Sequence, residues 1–281
     1  MSVKLLIRDG NPNWWLSPDI WVVPGDDPNG APGAPIAGAN AYMWAHVANT
    51  GSSDANGVRV DFFWANPALQ VLRSTATLIG SAYGDIPAGG SQDVLCLVPW
   101  IPVIVNGGHE CVVAVANHSG DPLPSPPPDD FSPPTYDQVA QRNLNVVTVS
   151  AQMMMMPMML TLGAPRREDK TARVNIEIGG KLDPEIFRRL NMKGLRPAKG
   201  SVVAAGLRRE PVCVGEDGDI GDDELTLEIK RGTQAAVYVS LRDRGLAKGE
   251  YQLVNVIERG AREIVGGYSF IVTRDTSGGK K

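Results

Sequence analysis

Six acids stand within nine residues in "EDGDIGDDE", positions 216–224. Asp217, Asp219, Asp222 and Asp223 could offer oxygens to Ca2+, a hard cation that takes about six to eight such ligands. Their spacing does not follow the EF-hand pattern, so a solvated acidic hairpin tip is expected and no metal site is assigned. "AQMMMMPMML", positions 151–160, holds six of the nine methionines: Met153, Met154, Met155, Met156, Met158 and Met159. Thioethers are soft ligands for Cu(I). Consecutive strand residues point to opposite faces, however, and no nearby histidine or cysteine completes a site. Methionine also fills irregular gaps and adaptable interfaces. The run is expected to line a seam between domains or subunits, ahead of a partner-binding patch and of copper.

Nucleophiles and bases are few. Cys96 and Cys111 fall on strands expected to pair as neighbours, where two buried thiols are favoured over a cross-strand disulfide. Cys213 has no obvious partner. His109 and Glu110 are adjacent, so on a strand they face opposite sides and cannot act together. His46 adds one more candidate base. No G-x-S-x-G, H-E-x-x-H, P-loop or G-x-G-x-x-G follows a strand pattern. No catalytic residue, cofactor or enzymatic activity is expected.

The aromatics are more suggestive. In "NAYMWAHV", if Ala45 and Val47 face the core, Tyr42, Trp44 and His46 face the other way. "NPNWWLSPDIW" adds Trp14, Trp15 and Trp21. Outward aromatics mark protein interfaces, and they can also stack on sugar rings. Cover by a second sheet, a terminus or the other domain is the competing account. Trp14, Trp15, Tyr42 and Trp44 are the candidate binding residues.

These residues need elements to hold them. The chain has 281 residues, 43% of them hydrophobic and 21% charged, enough for two domains with real cores. Gly and Pro are abundant and fall between short apolar runs, the punctuation of an all-β chain. In "GVRVDFFWANP", Val58, Val60, Phe62 and Trp64 share a face while Arg59 and Asp61 oppose them. Val94, Cys96, Val98 and Trp100 alternate in the same way, as do Cys111, Val113 and Val115. The net charge of −4 and the lack of a basic stripe argue against nucleic acid. No apolar stretch is long enough to span a membrane. The start lacks a signal-peptide pattern, so the expected location is the cytoplasm, or outside by export without a cleaved signal.

Composition shifts along the chain. All six tryptophans lie at or before Trp100, and all three histidines at or before His118. The expected division is a first sandwich over 1–150, a Met-rich connecting strand over 151–164, and a second sandwich over 165–281. The proline-rich loop 120–137 is expected to run over the surface.

Residues 17–150 resemble the bacterial cell-adhesion-related (CARDB-type) immunoglobulin-like domain. The resemblance rests on Asn49 and Gly51 in an N-x-G turn, and on Ile86, Ala88 and Gly89 in an I-x-A-G turn. A strand ending at Trp100, and Asn143 and Asn145 in an Asn-rich last strand, complete it. It implies a binding or spacer module with no common active site. The second half alternates in "ARVNIEIGG", "ELTLEIKRG", "QAAVYVSLRD", "GEYQLVNVIERG" and "GGYSFIVTR", and is immunoglobulin-like only in general shape. Its one expected helix is 182–192, capped by Asp183 with Pro184 in the first turn. The expectation is two tandem immunoglobulin-like β-sandwiches serving as a structural or protein-interaction module. Self-association or a protein partner comes first, and carbohydrate binding through the aromatic face is the alternative.

Overall fold

The computed structural model describes residues 2–103, 111–149, 157–164, 168–212 and 218–274. It is all-β, two stacked sandwiches with one short helix. The first sandwich is built from β1 (Leu5–Leu6), β2 (Ile20–Pro24), β3 (Ala41–Asn49), β4 (Ala55–Ala65), β5 (Thr77–Ile86), β6 (Ser91–Leu95), β7 (Cys111–Asn117) and β8 (Val139–Arg142). In one sheet β3 pairs with β1, β2 and β6; the other runs β5-β4-β7-β8. Alternation places Met43, Ala45 and Val47 of β3 against Val58, Val60 and Phe62 of β4, all fully buried. Asn49 fixes the chain entry. Its buried amide donates to the carbonyls of Ser53 and Ile86, and its Oδ1 accepts from the backbone of Gly51. Only glycine fits at 51, because a Cβ there would lie 2.2 Å from the Ser2 carbonyl oxygen.

The second sandwich contains β9 (Leu144–Val149), β10 (Met158–Gly163), β11 (Lys170–Ile178), α1 (Pro184–Arg189), β12 (Arg196–Pro197), β13 (Val203–Arg208), β14 (Glu224–Ile229), β15 (Gln234–Asp243), β16 (Glu250–Arg259) and β17 (Ile264–Arg274). One sheet runs β10-β15-β13, the other β14-β11-β16-β17-β9, with β12 against β16. Helix α1 starts as expected: Asp183 Oδ1 accepts from the Glu185 amide at 2.8 Å, with Pro184 in the first turn. It is shorter than the 182–192 segment because Asn191 takes a left-handed φ of 55°. Ile186 and Leu190 bury against Leu253, Ile257 and Ile271 on the outer face of the larger sheet.

Several expectations are corrected by this arrangement. The Asn-rich last strand expected for the first sandwich is divided at Asn143. Arg142 ends β8 in the first sandwich, whereas Leu144–Val149 form β9, which pairs in parallel with β17. Cys96 and Cys111 lie in different sheets and are not neighbours; both thiols are buried and free of disulfide. Val98 breaks the alternation of its segment and is exposed, because Leu97–Pro99 loop away from β3 between the pairings of Cys96 and Trp100. The proline-rich loop does more than cross the surface. Its Phe131 is 1% exposed, packs edge-on to Phe63, and carries the Arg73 guanidinium 4.3 Å from its ring centroid.

The seam between sandwiches is continuous core. Cys111, Val113 and Val115 on the outer face of β7 belong to the same apolar cluster as Leu160, Val237 and Phe270 of the second sandwich. Trp15 is fully buried and its ring fills the space over Gly267, where a Cβ would come within 2.4 Å of it. Asn143 donates to the carbonyls of Ala68 and Gly267, on opposite sides of the seam. Thr161 of β10 bonds Pro67 and Leu69 through its backbone, so the first sandwich covers the outer edge of β10. Lys170 spans the seam too, contacting Gln70 Oε1 at 3.3 Å and pairing with Glu258 Oε1 at 2.6 Å. Glu258 is fully buried, and that burial pushes its carboxyl up despite the lysine.

Candidate functional site

The outward aromatic face of β3 exists, but much of it is engaged. Tyr42, Trp44 and His46 are half-buried on the side of the sheet away from Met43 and Ala45. Trp44 stacks on Trp21, its directly paired residue, with centroids 5.7 Å apart and planes 8° from parallel. Its Nε1 donates to the Pro28 carbonyl at 3.0 Å. The Arg189 guanidinium from α1 sits over the Trp21 ring at 3.3 Å, a cation–π contact from the second half. His46 Nδ1 lies 2.6 Å from Asp93 Oδ1 across the strand pair. This constellation joins sheet to helix.

Trp14 and Trp15, adjacent in sequence, part company. Trp15 is inside the seam and unavailable to a ligand. Trp14 is half-buried and held edge-on to Trp15, with planes 80° apart. It walls a cleft of about 310 Å3 between the sandwiches, with Phe131, Pro133, Gln141 and Glu263 around it. That volume is within the range of small-molecule sites. Gln141 Nε2 is buried there without a hydrogen-bond partner. Asp130 and Glu263 add acceptors, and Ser132 and Thr135 add hydroxyls. Sequence pattern alone could not find Gln141, because β8 looks like any buried strand until the loop and the β16–β17 hairpin close over it.

The methionines divide as well. Met158 points into the second sandwich's core and Met159 is half-buried beside Tyr238. Met153, Met154, Met155 and Met156 lie outside the described residues, as do Cys213, Asp217, His109 and Glu110. In the acidic hairpin, the Asp219 carboxylate accepts from Arg208 at 2.9 Å and from the Gly221 amide. Asp222 is joined to Leu207 by backbone pairing, and the Asp223 carbonyl accepts from Ile176.

A different surface emerges at the open side of the first sandwich. Nine large hydrophobics are prominently exposed among the described residues, and seven of them belong to β5, to the segment after β6 and to the turn bonded to that segment. Leu97, Val98, Ile101 and Val103 follow β6. Leu78 and Tyr83 lie on β5, and Ile36 stands in a turn whose Gly38 amide donates to the Pro102 carbonyl. Val98 packs over Gly80, which ties that segment to β5. β5 ends its sheet, and no strand among the described residues pairs with its outer edge. Its register skips Ile79: Leu78, Ser81 and Tyr83 oppose Phe63, Asp61 and Arg59. The bulge therefore turns Leu78 and Tyr83 to the face of Phe63 and Arg59, opposite the Gly80 face that Val98 covers. Residues 77–84 carry no charge and no proline, the devices that ordinarily blunt an edge strand.

No protein-family model matches the chain, and no curated protein does. Among solved structures it is similar to red sea bream transglutaminase at 10% identity and a TM-score of 0.22, covering 92% of this chain and 32% of that one. The chain thus spans about a third of that enzyme's length. It is also similar to the CupB6 tip adhesin from Pseudomonas aeruginosa at 11% identity and a TM-score of 0.21, covering 98% and 97%. Such low scores establish neither a shared family nor a shared function. No helix among the described residues is long and apolar enough to cross a membrane.

Proposed function

We propose that the chain is a non-enzymatic protein-interaction module that docks through the outer edge of β5 and the apolar belt beside it. The observation that carries this reading is the outer edge of β5, unpaired among the described residues and uncharged over 77–84, beside the exposed Leu97 and Val98. Contiguous exposed apolar surface is a feature of interaction sites, and an open edge accepts another strand by backbone hydrogen bonding. The resemblance of residues 17–150 to CARDB-type domains is in keeping with such a role. The partner is a second copy of the chain or a neighbouring subunit presenting an extended segment.

Light scattering on the eluting peak of the intact protein tests this, beside a Leu97→Lys, Ile101→Lys variant. The parent is expected to self-associate in the micromolar range, and the variant to be monomeric with an unchanged melting temperature. A monomeric parent that also fails to bind any extended peptide from its neighbours would refute the reading.

The cleft at Trp14 favours carbohydrate as a second reading. A flat aromatic wall, a buried unpaired amide and two carboxylates suit a neutral, hydroxyl-rich ligand. Glycan binding lost in Trp14→Ala but kept in Trp44→Ala would select it.

A further inference from the structure

We propose that Arg142 and Trp100 together hold a small monovalent anion, chloride in ordinary saline, in a small cavity where the two sandwiches meet. Arg142 is 6% exposed and points to the inner side of β8, beside its pair Val112. Its Nη1 donates to the Ile20 carbonyl at 2.8 Å, and no carboxylate among the described residues pairs with it. The charged group acting on it is Arg189, another cation. Burial, and then Arg189, lower its pKa to about 10, so it stays charged at neutral pH. A buried cation without a counter-charge is strongly disfavoured.

Trp100 supplies the second donor. It is 5% exposed, and its Nε1 is buried with no hydrogen-bond partner. Both side chains line one cavity, whose remaining walls include Val22, Val112, Leu144 and Leu190. The lining side chains therefore offer two donors and no acceptor. A water there would accept from both but would find no side-chain acceptor for its own hydrogens, and it would leave the charge in place. A halide accepts without donating and cancels the charge. The free space is about 20 Å3, room for one small ion. Val22 and Trp100 belong to the first sandwich, Leu144 and Leu190 to the second, so the bound ion stabilises their union.

The test compares melting of the intact protein in sodium chloride, sodium bromide and sodium gluconate at equal ionic strength. Chloride and bromide are expected to raise the melting temperature saturably, and gluconate, too large to enter, is not. Trp100→Phe keeps the ring, removes the donor, and should weaken the apparent chloride affinity about tenfold. Arg142→Met should abolish the dependence; if it does not fold, Trp100→Phe decides alone. Equal melting in chloride and gluconate, or a chloride response in Trp100→Phe identical to the parent's, would overturn the assignment in favour of water.

Discussion

The indole Nε1 of Trp15 donates to Ser269 Oγ at 2.9 Å, joining residues 254 positions apart in opposite halves of the chain. Ser269 Oγ in turn donates to Asn255 Oδ1 at 2.6 Å, so the seam is held by a buried polar chain set in hydrocarbon. Fully satisfied buried networks specify one arrangement, because any slip leaves a dry polar group unpaired.

Trp15→Ala is expected to cost about 3–5 kcal/mol through the cavity it opens, read as a drop in the denaturant midpoint. Gly267→Ala is expected to cost about 1–3 kcal/mol, because its methyl meets the Trp15 ring. Combining Gly267→Ala with Trp15→Phe should cost less than the sum of the two. Strict additivity would show that the two residues do not share the space assigned to them.

Lys170→Met strands the Glu258 carboxylate in the seam and should destabilise by about 3–5 kcal/mol at neutral pH. Adding Glu258→Leu should recover most of that loss. The pH dependence has a definite sign. The folded carboxyl is pushed above its unfolded value, so between the two the folded state binds more protons. Stability therefore falls as pH rises through that window, and the Lys170→Met variant should melt higher at pH 5 than at pH 8. The opposite slope would mean that Glu258 remains readily ionised without its lysine.

Met158→Ser should cost about 1–3 kcal/mol through lost apolar burial and a hydroxyl in a dry site. Met159→Ser, on the half-buried face, should cost well under about 1 kcal/mol. Equal effects in thermal melts would mean that β10 does not keep its register with β15.

Residues 2–142 and 143–274 are expected to fail to melt cooperatively when expressed apart. Each would expose seam surface that Trp15, Phe131 and the outer face of β7 now bury. The intact chain should show one transition by calorimetry, and two separated transitions would contradict the continuous core.

Much of the architecture was legible locally. The alternation in β3 and β4 set Ala45 with Val47, and Val58 with Phe62, on shared faces that are buried, and Asp183 with Pro184 marked the start of α1. The seam was not legible, because it depends on contacts between distant segments. Nothing near Trp15 in sequence distinguishes it from Trp14, since what separates them is Gly267. Asn143 stood out in the sequence only within an Asn-rich strand, and its role as a clamp needs carbonyls from both halves. The apolar belt was hidden by a false continuation of alternation through Val98. The bulge at Ile79 that turns Leu78 to the face of Tyr83 shows only in the register with β4.

The parallel pairing of β9 with β17 also bears on synthesis. Leu144 leaves the ribosome about 125 residues before Ser269, its ladder partner. At roughly 5–20 residues per second, that leaves β9 waiting on the order of ten seconds for its partner strand. Through that interval its backbone groups have no native mate, and premature capture by a neighbouring nascent chain becomes a hazard. β17 closes a sheet whose edge strand was made about 125 residues earlier, so β9 cannot take its place until β17 has emerged.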